Sequence, residues 1–374
     1  MIRIEPVKDQ VGLKQFVRVP THIYRSDPAW VPPLFVERLQ FFSSKNPYFK
    51  HARWQCWVAY RGSVPVGRIS AQIDELHLAH YGSRTGFFGS LEAEDSAEVF
   101  QTLFKTAEAW LQAEGMTTVQ GPFNLSINQE CGLLIKGYDD PPMVMMGHAR
   151  PYYPEHVEAN GYQKAQDMLA YRIGIHFPLP SGVTRFLNKA KDSVRIRPLR
   201  RELLQEELGI IKEIYEEAWA ENWGFLPFTD AEFAEMGQHL KLLVEDDFVQ
   251  IAEIDGIPSA MLVAFPNLHE VIHDLQGRLW PLGWFKILWR MKVGYPTTGR
   301  VALMGVRRRF QSSPMGALMA YGMIEAVRQA GLRKHIEQVE LSWILEDNKR
   351  MRHILESLGA EPYKTYRVYE KSLQ

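Results

Sequence analysis

The stretch WVAYRGSVPVGRISA (residues 57–71) has a counterpart in IAEIDGIPSAMLVAF (251–265). Each reads as a strand, a turn glycine, a proline two or three residues on, and a second strand, which is the pattern of a hairpin. Gly62 matches Gly256 at an offset of about 194 residues, and Gly161 matches Gly359 at about 198, with Tyr171 then falling on Tyr369. Between them, Gly115 and Gly331, each following a helical stretch, match at about 216. Self-similarity at one long offset implies two copies of a single supersecondary plan. The drift of the offset implies one insertion in each half, at 122–142 in the first and at about 268–296 in the second.

The length fits this reading. A chain of 374 residues exceeds what one hydrophobic core supports, and two domains are expected, 1–180 and 181–374. A charge of −1 lacks the basic excess of a general nucleic-acid binder. Cys56 and Cys131 make neither a disulfide framework nor a CxxC metal knuckle, so both read as small buried apolar residues in a reducing compartment. MIRIEPVKDQ has no apolar signal-peptide region, and no stretch reaches the roughly 20 apolar residues of a membrane-spanning helix. The expectation is a cytoplasmic protein with no nucleic-acid partner and no transmembrane segment.

Periodicity places the elements. In the first half a strand at 2–7 precedes helices at 13–24 and 34–42, a hairpin at 54–60 and 64–74, and a strand at 86–91. A helix follows, with Asp95 as its N-cap, a stripe of Val99, Leu103, Phe104, Ala107, Trp110 and Leu111, and Gly115 as its stop. The second half repeats the order: a strand at 194–199, helices at 202–222 and 230–244, a hairpin at 248–266, a strand at 301–306, and a helix at 316–330 ended by Gly331. Mixed, mostly antiparallel sheets flanked by helices are expected, an α/β (α+β) class.

The chain closes on VELSWILEDNKRMRHILESLGAEPYKTYRVYEK (339–371). Strand, an Asn opening a helix (Asn348), Leu-Gly ending it (Gly359) and a last strand are similar to the closing pattern of the GNAT acyltransferase superfamily. The resemblance is good from about 194 to 371, and over 1–173 it rests mainly on the repeat. It implies two tandem GNAT-like domains and acetyl-CoA or another acyl-CoA as cosubstrate.

In that family the acyl-CoA pyrophosphate sits on a loop of the form Gln/Arg-x-x-Gly-x-Gly/Ala before a helix. The matching segment here is VRRRFQSSPMGALM (306–319), with Pro314 in place of the first glycine. Backbone N–H groups at a helix N-terminus can hold phosphate where no side chain blocks approach. The resemblance therefore points to Val306, Arg307, Arg308, Arg309, Gln311, Ser312, Ser313, Met315, Gly316 and Ala317, with Asn348 behind them, as cofactor-binding. A capped helix with a solvated basic face explains the same residues. The first half has GFFGSLEAEDSAEV there, whose Glu92, Glu94 and Asp95 repel phosphate, so its loop is expected not to bind acyl-CoA in this way.

The family's thiolate-protonating tyrosine position is Leu355 here, a departure that leaves the general acid open. Tyr366, with Tyr363 and Tyr369, offers a substitute on the last strand, where alternating aromatics equally serve packing. Glu253 and Glu340, lone carboxylates in apolar strands, are the candidate bases, against a reading in which both face solvent. Asn124, Asn128, His148, Tyr152 and Tyr153 form a polar, aromatic cluster that lines an acceptor pocket or stabilises a long loop. No metal is expected, because the scattered histidines lack ligand spacing.

The insertion RLWPLGWFKILWRMKVGYP reads as a basic, Trp-rich helix over 279–293, with Trp280, Trp284, Leu288 and Met291 on one face. A homodimer contact or a lid is expected there in preference to a membrane, since Pro281 and Gly283 shorten the helix. The favoured function is acyl-CoA-dependent N-acylation of an amine on a small molecule or peptide. A non-catalytic binding protein and a Fem-type aminoacyl or peptidyl transferase remain as alternatives.

Overall fold

The computed structural model describes residues 1–179, 181–189 and 193–373. Position 180, where the sequence places the domain junction, lies outside them.

The first half begins with β1 (Ile2–Pro6), α1 (Gln10–Ile23) and α2 (Phe35–Phe41). Asp9 caps α1 by accepting from Gly12 N, and the helix buries Leu13, Phe16, Val17 and Val19. A meander follows in β2 (Ala52–Arg61), β3 (Val64–Asp74) and β4 (Thr85–Ala93), with α3 (Glu75–Tyr81) before the last strand. The β2–β3 turn places Gly62 at φ 63°, which glycine adopts without strain. Helix α4 (Ala97–Ala113) buries the expected stripe except Trp110, which is half-buried, and adds Phe100. Its N-cap is Ser96 rather than Asp95, whose carboxylate lies 2.7 Å from His156 Nε2. Then come β5 (Thr118–Gly121), β6 (Phe123–Asn124), β7 (Glu130–Cys131), β8 (Leu133–Lys136) and α5 (Tyr153–Ala159).

The long β9 (Gln163–Gly174) and α6 (Ser181–Lys189) lead into the second half. It contains β10 (Arg195–Pro198), α7 (Leu204–Trp219), α8 (Asp230–Leu243), β11 (Val249–Ile254) and β12 (Ile257–Pro266). Thr229 and Glu232 cap α8 reciprocally, Glu232 Oε2 accepting from Thr229 N at 3.0 Å and Thr229 Oγ1 from Glu232 N at 3.2 Å. The insertion is α9 (Leu268–Ile272) and α10 (Gly283–Lys292), and the end of the chain is β13 (Thr298–Val306), α11 (Pro314–Arg333), β14 (Gln338–Leu345), α12 (Lys349–Ser357) and β15 (Glu361–Ser372). Helix α11 runs past Gly331 and the left-handed residue after it is His335, at φ 59°. Gly331 serves packing instead: a Cβ there would lie 2.5 Å from Ile175 Cδ1.

The chain divides into two compact units. One is Met1–Met168 with Ile272–Ile287 and Lys364–Gln374, and the other is Leu169–Val271 with Leu288–Tyr363. In the first unit the sheet order is β1-β2-β3-β4-β5, followed by the 364–372 part of β15, which pairs with β5 from Tyr369↔Gly121 to Ser372↔Thr118. In the second the order is β10-β11-β12-β13-β14, with the 169–174 part of β9 next to β14. Both units share one motif: antiparallel strands, then a parallel pair whose crossover is a helix. The parallel pairs are β4·β5 and β13·β14, bridged by α4 and α11. Separate buried clusters form the cores, one around Phe16, Tyr48, Cys56 and Val58, the other around Ile211, Leu262, Met319 and Met323.

Candidate active site in the second unit

Strands β13 and β14 pair only from Thr298↔Gln338 to Val301↔Leu341, yet both continue, to Val306 and Leu345. On its other edge β13 stays bonded to β12, with Ala302 as an extra residue between Val301 and Leu303. Such a bulge bends its strand. A strand with neighbours on both edges is normally covered, but Val301, Ala302, Leu303 and Met304 are all half-buried. Past this pairing the two strands part and leave a cleft between them.

Directly after β13 the chain turns into α11. Ser313 Oγ accepts from Gly316 N at 3.1 Å and donates to Phe310 O at 2.8 Å. A Cβ on Gly316 would lie 2.1 Å from Phe310 O, so the turn itself demands the glycine. Arg307 is committed to Pro258 O (2.8 Å), Glu217 (2.8 Å) and Glu213 (3.0 Å). Burial alone would lower its pKa, but the bonds to Glu217 and Glu213 outweigh that and raise it. Arg308 N donates to Glu217 at 2.7 Å, and its exposed guanidinium lies 3.2 Å from Glu221. Arg309 is exposed, beside the Phe310 ring. Gln311 Nε2 donates to Val306 O at 3.1 Å, and Arg350 Nη1 donates to Ser312 Oγ at 2.7 Å, bringing a cation not expected from the sequence. Met315 is half-buried and Ala317 exposed in the first turn of α11, and Asn348 caps α12 by accepting from Met351 N.

Beneath the cleft lies a buried polar network. Arg300 and Glu340 are register partners across β13 and β14, 2% and 0% exposed. Their Nε and Oε1 atoms are 3.7 Å apart, and Ser342 joins them, its Oγ donating to Glu340 Oε1 at 2.6 Å and accepting from Arg300 Nε at 2.8 Å. Tyr363 OH donates to Glu340 Oε2, and Trp343 lies against the Arg300 guanidinium at 5.2 Å. Buried charges persist only when paired and hydrogen-bonded, and this set meets that condition. Tyr363 is only half-buried, so it is the member of the network closest to solvent. Tyr363 is among the three last-strand tyrosines expected as a substitute acid, whereas Arg300 and Ser342 are not among the expected site residues. The available signal was a lone cation in TGRVALMGV matching a lone carboxylate in VELSW, two apolar strands expected to be neighbours.

The same unit holds a small apolar pocket that is partly open to solvent. Phe265, Val301, Val327, Leu341, Leu355 and Leu358 contribute to its walls, with Arg300 and Arg328 as the charged members. Leu355, at the position where the resemblance places a tyrosine, is thus a wall residue. Glu253, the other expected base, sits on β11 and accepts from Arg197 Nε at 2.6 Å, within a cluster in which Arg197 also holds Glu207. That cluster is separate from the Glu340 network.

The remaining expected residues belong to the first unit. Strands β4 and β5 pair from Thr85↔Thr118 to Phe87↔Gln120, and the chain then turns back into the gap beside β4. Phe123 O accepts from Gln72 Nε2 at 2.7 Å, and Asn124 Oδ1 accepts from Ser90 N at 2.8 Å. Asn124 Nδ2 donates to Glu130, which Arg38 holds at 2.6 Å, while Asn128 N donates to Ser126 Oγ. His148 Nε2 and Arg150 both lie 3.0 Å from Asp27 Oδ2. Tyr152 OH donates to Ala93 O at 2.8 Å, and Tyr153 and Tyr24 both donate to Glu92. Burial raises the pKa of Glu92, and Arg68, Tyr24 and Tyr153 only partly oppose it. Tyr366 is buried in β15 opposite Leu134. Among the described residues, no group of three or more His, Cys, Asp and Glu could hold a metal ion, and no helix is long and apolar enough to cross a membrane.

A parallel strand pair that opens past a bulge, followed by a capped helix, occurring in a repeated βα plan, gives the chain a tandem GNAT-like fold. A tandem GNAT protein from the clavulanic acid biosynthesis pathway is similar in structure, with a TM-score of 0.59 at 13% identity, over 100% of this chain and 99% of that one. No family model matches the sequence. The chain belongs to the family of Protein YghO of Escherichia coli (strain K12) and the bacterial ceramide synthase of Caulobacter vibrioides. It is 48% identical to the first over 364 residues, 96% of this chain and 93% of that protein. To the second it is 44% identical over 375 residues, covering 100% of this chain and 98% of that one.

Proposed function

We propose that the second unit transfers a long acyl group from acyl-CoA to the primary amine of a long-chain amino alcohol, giving an N-acylated lipid of the ceramide type. The observation that carries this reading is the apolar pocket next to an accessible strand cleft, in a chain 44% identical along its whole length to a bacterial ceramide synthase. Walls built of leucine, valine, isoleucine and phenylalanine favour an alkyl chain through the hydrophobic effect and give a short acetyl group little purchase.

When bound, acyl-CoA supplies a thioester carbonyl. Transfer forms one C–N bond, breaks one C–S bond, and moves one proton from the amine to the departing thiolate. Glu340 is the proposed acceptor of that proton, through Tyr363 as the partly accessible end of the network, while Arg300 and Ser342 hold the carboxylate in place. Arg308, Arg309 and Arg350, with Ser312 at the start of α11, are the proposed diphosphate contacts. Arg307 is assigned a structural part, because Glu213 and Glu217 already engage it. The acceptor enters the same unit, and the Asn124 and His148 clusters of the first unit are assigned to structure.

The test is an incubation of the full chain with sphinganine and either palmitoyl-CoA or acetyl-CoA, reading amide product by mass spectrometry and free thiol by colorimetry. Amide formed from palmitoyl-CoA well above that from acetyl-CoA is expected. Thiol release and amide equal to the buffer blank with every long-chain CoA would overturn the reading.

A further inference from the structure

The insertion carries half of the large hydrophobic residues that are exposed among the described residues. Trp280, Leu282, Trp284, Phe285, Leu288 and Trp289 are between 47% and 79% exposed. The helix starts at Gly283, after Trp280 and Pro281, so Trp280 precedes it and does not extend its face. On α10 the rows Trp284–Leu288–Lys292 and Phe285–Trp289 lie side by side at four-residue spacing and face outward, while Gly283 is buried and Ile287, Arg290 and Met291 are partly covered. The face is wide and aromatic, and it belongs to one continuous helix.

Its charge identifies the occupant. From Leu275 to Pro296 the sequence has four cations, Arg278, Lys286, Arg290 and Lys292, and no carboxylate. Arg290 Nη1 donates to Val271 O at 2.6 Å and Lys286 Nζ to Asp274 at 2.9 Å, leaving Arg278 and Lys292 as exposed cations at the two ends of the segment. A second copy packed on the same face would add the same four cations and no carboxylate, so the segment would find no counter-charge there. An anionic lipid surface meets the same pattern with complementary charge and an apolar layer for the indoles.

We infer that α10 and the Trp280–Leu282 approach to it dock on the interface of an anionic bilayer, with the indoles at headgroup level and the cations on the phosphates. This surface would put an enzyme with a lipid acceptor where its acceptor is, but the inference does not rest on acyl transfer, since membrane binding is read without turnover.

The experiment uses the full chain and sedimentation with vesicles of phosphatidylcholine alone or mixed with phosphatidylglycerol, at low and high salt. Binding is expected to the mixed vesicles, weakened by salt. It should fall about tenfold or more in a Trp284→Glu, Trp289→Glu double variant, which loses two interfacial anchors. Lys292→Glu should weaken it less, and in all three proteins the thermal midpoint should agree, because these side chains are exposed. Failure of the unaltered chain to sediment with either vesicle overturns the inference. So does equal sedimentation of the double variant, or a concentration-dependent dimer in light scattering that the double variant abolishes, which would make a second copy the occupant.

Discussion

The two parallel strand pairs start alike and end differently. Both open with Thr-Gly, at Thr85-Gly86 and Thr298-Gly299, both pair for a few residues, and both carry a bulge beyond the paired segment. In the first unit the chain closes the opening itself. Phe123 brings its carbonyl against β4, Asn124 satisfies the Ser90 N–H, and β4 is buried at every position but Glu92. In the second unit β14 continues away from β13 and the strand between stays half-exposed. One plan thus yields a filled gap and a usable cleft, and the deciding factor is where the chain goes after the paired segment. Once a gap's N–H groups are answered internally, nothing remains there for a ligand to satisfy.

Four measurements test this contrast. The largest effect belongs to the second unit: Glu340→Gln should lower kcat by roughly 10²–10⁴-fold, the range for loss of a general base. Should that variant unfold, since breaking a buried pair costs about 3–5 kcal/mol, Tyr363→Phe at the half-exposed end supplies the same readout. Unchanged turnover in Tyr363→Phe with native stability would remove the network from the chemistry.

Next comes the filling of the first gap. A Cβ on Gly89 would lie 1.8 Å from Phe123 O, whereas one on Gly299 would lie 3.1 Å from its nearest neighbour, Phe265 O. In urea unfolding, Gly89→Ala is expected to cost about 4 kcal/mol or more, and Gly299→Ala about 1 kcal/mol. Equal costs would mean that the first gap is not tightly closed.

Asn124→Ala tests the closure from the other side. Losing the bond to Ser90 N should cost about 1–3 kcal/mol, the price of a buried amide left without its partner. Calorimetry with acyl-CoA should still find a single site, because Glu92 and the acidic residues after it disfavour phosphate. A second site appearing in this variant would show that Asn124 alone keeps the first unit from binding.

The smallest effect is a pH dependence. His77 packs edge-on against Phe87, which itself meets Phe123 in the filled gap. Burial lowers its pKa from 6.5 to about 4, with Asp74 opposing. The folded state therefore prefers the neutral ring, and the unfolded chain binds the extra proton between those values. Stability should be fully present above pH 6.5 and decline as the pH falls toward 4, and His77→Leu should make the decline shallower in thermal melts. An identical slope would place water at that ring.

Local patterns in the sequence determined a good deal about this protein. Gly62 and Gly256 mark hairpin turns, both with positive φ, and the 99–111 stripe of α4 is buried as its spacing requires. The class of fold follows from the repeat. Such features depend on residues a few positions apart, so periodicity exposes them. Tertiary structure decided the rest. Gly331 looked like a helix stop and is a packing glycine, because Ile175, far away in sequence, occupies the space of its missing side chain. Arg307 looked like a phosphate ligand and is held by Glu213 and Glu217 of α7. Tyr363, rather than Tyr366, meets Glu340, since which of two strand tyrosines faces a carboxylate on another strand is set by register and not by spacing. The difference between a filled gap and an open cleft is of the same kind: it depends on the path of the chain in space after two similar strands, and no local pattern encodes that path.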